Sequence, residues 1–267
     1  MDLALKDQLA VVVGAAQGIG RAIAEQFAEA GARLALVDIA PQVEAVASDI
    51  HTKLQVAARS WTADASSFHA LSQVAHEVSQ MGDVDHVVYA AGTGSGKYGF
   101  PFWNLMPADW ERVWQVTMMG AVHTAHAFAP EMAARGRGTL LFLSSIAGQI
   151  GSQTDPPYSA AKAALINFAQ CAARDLAPYN VRVNCLAPGM VKTGLNRAVW
   201  QAWRDQNPAV HTLAYEEWAE EKIRRVTPLG RWQEAEDMAA MAVFLASTRA
   251  KNITGQTINI DGGWLMR

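Results

Sequence analysis

Cysteine is scarce in this chain. Only Cys171 and Cys185 occur, each in an apolar context without the close Cys or His neighbours that a zinc site needs, so both read as buried thiols. The seven His are scattered and no H-E-x-x-H pattern appears, so no metal is expected. An excess of positive charge is missing too: 22 Lys and Arg face 25 Asp and Glu, a formal net charge of -3. That balance argues against nucleic acid and anionic membrane as partners, because both are usually met by a basic patch. No stretch is apolar for long enough to span a bilayer, and the first residues show no basic segment leading into an apolar run. No membrane partner and a cytoplasmic location are expected. Pro- or Gly-rich linkers, composition shifts and internal repeats are also absent, so residues 1–267 read as one domain.

What the chain does have is apolar material, 51% of 267 residues, arranged in a rhythm. Short runs rich in Val, Leu and Ile at 9–13, 33–37, 54–61, 85–89, 138–143, 181–186 and 256–260 read as strands. Between them, helical spacing marks 18–30, 42–50, 67–80, 107–134, 157–177 and 234–246. The alternation predicts an α/β fold, a doubly wound Rossmann-type sheet of seven parallel strands flanked by helices. The segment 193–228 is unusually long and carries Trp200, Trp203, Tyr215 and Trp218 among charges, which reads as a helical substrate lid inserted in the domain.

Directly after the first strand comes Gly14-Ala15-Ala16-Gln17-Gly18-Ile19-Gly20, which opens the first helix. Glycines belong where the backbone bends tightly and where a Cβ would collide with a pyrophosphate, whose charge the helix N-terminus then meets. Asp38 ends the second strand, placed to accept hydrogen bonds from the adenosine ribose hydroxyls and to repel a 2′-phosphate. Neither Gln17 nor Ile39 supplies a cation for such a phosphate, so NAD is the expected cofactor.

Several ordered motifs together resemble the short-chain dehydrogenase/reductase family over nearly the whole chain. The glycine segment is similar to the family's, with Val13 where Thr is usual. Asp64, followed by Ala65, matches the acid that approaches the adenine, and Ala91-Gly92 ends the fourth strand as the family's Asn-Asn-Ala-Gly does. Tyr158-Ser159-Ala160-Ala161-Lys162 matches Tyr-x-x-x-Lys, with Ser145 thirteen residues before the Tyr. Pro188-Gly189-Met190-Val191-Lys192-Thr193 resembles the segment beside the nicotinamide, and 253–263 resembles the family's last strand.

The chemistry gives this spacing a reason. A phenol with a pKa near about 10 is a poor base at neutral pH, and a Lys four residues on lies one helical turn away on the same face, where its charge favours the phenolate. The resemblance implies that Lys162 also holds the nicotinamide ribose and that Ser145 braces the substrate oxygen beside Tyr158. It further implies a homo-oligomer, commonly a tetramer. Two departures stand out: the family's Asn-Asn is Tyr89-Ala90, and the helix Asn that organises a water for the Lys is Thr117. Thr117 is expected to serve partially in that proton relay.

Pocket segments should follow the C-terminal ends of the strands, at 93–103, 147–157 and 193–228. Gly94, Gln149, Gln153 and Trp200 are the expected substrate contacts beside Ser145 and Tyr158. Tyr98, Phe100, Phe102 and Trp103 would supply aromatic walls, with Ser152 and Asp155 adding polar groups. Such walls suit a sugar, polyol or sugar acid. The expected function is NAD-dependent interconversion of a secondary alcohol and a ketone, or a lactol and a lactone. A ketone, 3-oxoacyl or steroid-type reductase stays open, as does a catalytically impaired dinucleotide-binding protein.

Overall fold

A computed structural model describes residues 3–97, 101–152, 155–206 and 213–266. Its described residues form one seven-stranded sheet, all parallel, in the order β3-β2-β1-β4-β5-β6-β7. The strands are β1 (Leu9–Val13), β2 (Arg33–Asp38), β3 (Ala58–Thr62), β4 (Val84–Tyr89), β5 (Gly138–Leu143), β6 (Val181–Pro188) and β7 (Thr257–Ile260). The strand order reverses between β1 and β4, which opens a crevice at their C-terminal ends.

Every residue of β1 is buried, as a strand covered on both faces requires. Its side chains alternate between two cores. Ala10 and Val12 join Ile23 and Phe27 of α1 (Gly18–Glu29), Ile50 of α2 (Val43–Leu54) and Met238 of α9 (Ala235–Ala246). Leu9, Val11 and Val13 join Leu71 of α3 (Phe68–Ser79), Phe128 of α5 (Gly120–Arg135) and Leu165 of α6 (Pro156–Leu176). A third, smaller cluster couples α7 (Gly194–Gln206) to α8 (Tyr215–Val226): Tyr215, Trp218 and Ile223 are buried against Trp200 and Trp203.

Three expectations need correction. The third strand begins at Ala58, not at 54, because the apolar stripe Val43, Val46, Ala47, Ile50 carries α2 through Leu54. Gln55 then ends that helix in the left-handed conformation, φ 57°. The long helix expected over 107–134 is interrupted: α4 (Pro107–Trp114) gives way to a π turn at Gln115–Met119 before α5. There the Tyr89 hydroxyl donates to the Val116 carbonyl, and a Cβ on Gly120 would collide with that hydroxyl. A hydrogen bond inserted into a helical ladder is a recognised cause of such bulges. Finally, Cys185 is buried but Cys171 is exposed, on the outer side of α6.

Candidate active site

Tight backbone packing shapes the β1–α1 bend. Gly14 has φ +87°, and a Cβ there would lie 2.5 Å from Ala91 N; on Gly20 it would lie 1.9 Å from Gly14 O. Gln17, the residue before α1, gives the helix no side-chain cap, so its first N–H groups lack that partner. A bend drawn tight by Gly14 and Gly20, opening into an uncapped helix N-terminus, fits a dinucleotide pyrophosphate. Gln17 and Gly18 are exposed at this bend. Asp38 is tied into it: Oδ2 accepts from Ala16 N and Oδ1 from Ala40 N, both at 2.9 Å. Asp64 accepts from the Ser66 N–H and hydroxyl, while the neighbouring Ala65 is buried with its carbonyl 3.2 Å from His123 Nδ1.

A cleft of about 820 Å³, open mouth included, lies over the ends of β1, β4, β5 and β6. It brings together Ile19, Gly92, Ser145, Tyr158, Lys162, Pro188, Gly189, Val191 and Thr193, all singled out in the sequence. Tyr158 is half-buried, and burial pushes its phenol up to about 12, opposed by the nearby Ser145 hydroxyl and reinforced by the Asp155 charge. Lys162 is 3% exposed. Burial lowers it to about 8, with Nζ 5.5 Å from the centre of the Tyr158 ring and donating to the Leu143 carbonyl. Ser144 also lines the cleft, but its hydroxyl is engaged, donating to the Lys162 carbonyl at 2.8 Å. Ala91 packs against the core of the α5–α6 face, beside the bend.

Thr117 is fully buried and its Oγ1 has no hydrogen-bond partner. It faces the same spot as Lys162: a Cβ on Gly92 would lie 3.2 Å from Lys162 Nζ and 3.9 Å from Thr117 Oγ1. An orphaned hydroxyl beside a buried ammonium leaves both with unfilled hydrogen-bonding capacity.

The expected substrate contacts fare less well. Gln149 is spent on a reciprocal amide pair with Asn259 of β7, which fixes the 146–152 segment to the sheet edge. Trp200 belongs to the α7–α8 cluster, edge-on to Tyr215 and under the Arg204 guanidinium at 4.5 Å. Phe102 and Trp103 are 63% and 70% exposed and pack on each other. Gln153, Tyr98 and Phe100 lie outside the described residues. Gly94 sits beside the Asp155 carboxylate. Lining residues the sequence reading did not single out are Leu195, Asn196 and Val199 of α7. The spacing of Leu195 and Val199, four apart on one helix face, is the signal that could have found them. Among the described residues no group of His, Cys, Asp or Glu is arranged to hold a metal, and no helix is long and apolar enough to cross a membrane.

A family model described as enoyl-(acyl carrier protein) reductase matches residues 14–265. The NAD-dependent glycerol dehydrogenase of Listeria innocua serovar 6a is 31% identical over 267 residues, covering 100% of this chain and 97% of that protein. The 3-oxoacyl-(acyl-carrier-protein) reductase of Aquifex aeolicus is 31% identical over 265 residues, covering 98% and 99%. Among solved structures, L-sorbose reductase from Gluconobacter frateurii, complexed with NADPH and L-sorbose, aligns over 100% of both chains with a TM-score of 0.90 and 29% identity. The chain belongs to the short-chain dehydrogenase/reductase family, and the class is oxidoreductase.

Burial of Lys162 has a measurable signature. Its ordinary value is 10.5 and its value in the fold is about 8. Below pH 8 the folded protein therefore carries the cost of a desolvated ammonium, and that cost fades as pH rises towards 10.5. Lys162→Met removes the charge, so its melting temperature relative to wild type should be highest near pH 7 and fall by on the order of 5 °C towards pH 10. Thermal melts of the two proteins across that range check it; a constant difference contradicts the burial.

Proposed function

We propose that this protein is an NAD-preferring oxidoreductase that interconverts a secondary alcohol and a ketone, or a lactol and a lactone, on a small sugar, polyol or sugar acid. The observation that carries the reading is the single cleft in which Ser145, Tyr158 and Lys162 meet Ile19 of the glycine bend and the 188–193 segment. When bound, the nicotinamide supplies the hydride acceptor or donor. In oxidation, Tyr158 takes the hydroxyl proton as the hydride leaves the carbon, and Ser145 holds the same oxygen by a hydrogen bond. Lys162 stabilises the phenolate, and Thr117 offers the remaining hydroxyl of a relay from Lys162 to solvent. Ketone reduction uses the same groups in reverse.

Gly14, Gln17, Gly18, Ile19 and Gly20 would cradle the pyrophosphate, with Asp38 at the adenosine ribose, Asp64 and Ala65 near the adenine, and Ala91, Gly92 and 188–193 along the nicotinamide half. The α7–α8 segment is read as a lid within one domain, since Leu195, Asn196 and Val199 form one wall of the cleft. A sugar or polyol substrate is supported by the similarity to glycerol dehydrogenase and L-sorbose reductase. A cytoplasmic homotetramer completes the reading, on the family's usual assembly.

Tyr158→Phe should lower kcat by about a hundred- to ten-thousand-fold while NADH binding, followed by fluorescence, persists. Activity within a few-fold of wild type would remove Tyr158 from its role. Thr117→Asn should change kcat only modestly; a rise by orders of magnitude would show that the native relay is incomplete. Because Asp38 also holds Ala16 N and Ala40 N, the clean probe of its charge is Asp38→Asn rather than Ala. The ratio of kcat/KM with NAD to that with NADP should fall by about tenfold or more. An unaltered ratio would place the discrimination elsewhere.

A further inference from the structure

Asn196, in the first turn of α7, lines the cleft and has no part in the catalytic reading. Its amide is held from behind by α8, where the Tyr215 hydroxyl donates to Asn196 Oδ1 at 3.2 Å. Tyr215 is only 4% exposed, wedged among the rings of Trp200, Trp218 and Trp232 with centroids 5.8 to 6.3 Å away. A buried phenol needs an acceptor for its hydrogen, so the amide oxygen turns to Tyr215 and the NH2 group turns away from it. Among the described residues nothing accepts from that Nδ2, and it is not one of the buried atoms left without a partner. Donor hydrogens thus stay free at an atom that solvent reaches.

Its place in α7 separates Asn196 from the cofactor bend. Thr193, just before the helix, lies against that bend, its Cγ2 3.8 Å from where a Cβ on Gly18 would sit. Asn196 comes three residues later, about 4.5 Å further along the helix axis. Its neighbour Leu195 reaches the loop after β4, with Cδ1 3.8 Å from a Cβ placed on Gly94. Leu195 and Val199, both in the cleft wall, make its surroundings apolar. A lone donor in an apolar wall is the kind of group that fixes how a ligand lies. Among the described residues lining the cleft, Lys162 alone is charged, and its ammonium is committed to the Leu143 carbonyl and to Tyr158.

Resting on the proposed polyol or sugar oxidoreductase activity, we propose that Asn196 is a specificity-determining residue whose Nδ2 donates a hydrogen bond to a second oxygen of the substrate, while Ser145 and Tyr158 hold the reacting one. Tyr215 is the positioning residue that aims the amide. The substrate is then an uncharged polyol or sugar, or the corresponding hydroxyketone. A sugar acid meets no free cation in the described wall to pair with its carboxylate, which narrows the class away from it. A mono-alcohol offers the amide no acceptor and leaves it as it is in the free protein.

The test compares wild type, Asn196→Leu and Tyr215→Phe with NAD on erythritol and on 2-butanol, which share a carbon chain length and a secondary alcohol. Asn196→Leu, close in size and without polar atoms, should lower kcat/KM for erythritol about 3- to 10-fold more than for 2-butanol, as expected for one lost hydrogen bond between neutral groups. Tyr215→Phe, which keeps the amide and frees it to turn, should shift that ratio the same way by less; an unchanged ratio removes Tyr215 from its part. Equal losses on both alcohols in Asn196→Leu would show that the amide only braces α7 against α8, and no loss on erythritol would remove it from the substrate; either overturns the inference. Erythronate favoured over erythritol by wild type overturns the uncharged class. If wild type oxidises 2-butanol and not erythritol, the inference and the polyol reading fall together. If it oxidises neither, the activity reading is at fault and the inference is read from binding. Erythritol at millimolar concentration, with NADH present, should raise the melting temperature of wild type more than that of Asn196→Leu, and equal shifts, zero included, overturn it.

Discussion

The arrangement of this site depends on how closely α6 is docked onto the segment that follows β5. Gly148 allows the approach: a Cβ on it would lie 2.7 Å from the Lys162 carbonyl carbon. Hydrogen bonds then fix the two pieces in register. Ser144 Oγ donates to the Lys162 carbonyl and Ser159 Oγ to the Ala147 carbonyl. Ser145 rides on one piece and Tyr158 with Lys162 on the other, so their mutual geometry is set by a close backbone approach at Gly148 and by two short serine side chains bonded to main-chain carbonyls. Proton transfer is sensitive to errors of an ångström, and a rigid two-piece mount of this kind limits such errors.

Much of this could be read from the sequence, because the strongest signals are local and periodic. Six of the seven strands lie where short apolar runs fall, and Tyr158 and Lys162 meet because positions four apart share a helix face. The glycine bend was legible for a related reason: its glycines follow a strand and open a helix. What was not legible depends on partners distant in the chain. Gln149 reads as a free polar group until Asn259, 110 residues on, is seen to occupy it. Leu54 looks like strand until the helical stripe before it claims it, and Cys171 looks buried until α6 is oriented against the sheet. Leu195 and Val199 were hidden inside a segment whose two helices are joined by their aromatic cluster rather than by any short motif.

The departures at Tyr89 and Thr117 are physically linked. Both touch the same π turn: the Tyr89 hydroxyl takes the Val116 carbonyl, and Thr117 follows it in the chain. The phenol is fully buried, and burial pushes its pKa above the ordinary Tyr range, so it stays a neutral donor. Gly120 supplies the space that the ring needs. A large side chain on β4 thus acts as a strut that holds the helix out of α geometry at the turn that carries Thr117. The change on the strand and the change on the helix are two parts of one packing solution.

Burying Lys162 is costly, and the structure gives it little relief. Among the described residues no carboxylate pairs with it; its hydrogen-bond acceptor is the Leu143 carbonyl. Cys185, beneath it on β6, offers no anion, since burial pushes that thiol up to about 12. An ammonium without a counter-ion is held near the middle of the pH scale, where it gives up or takes a proton more readily than an exposed lysine. An ion pair in the same place would stabilise the fold and fix the charge, and would deprive the site of that readiness. The two apolar cores on either face of the sheet offset the cost, so the destabilised group sits on a scaffold stable enough to carry it.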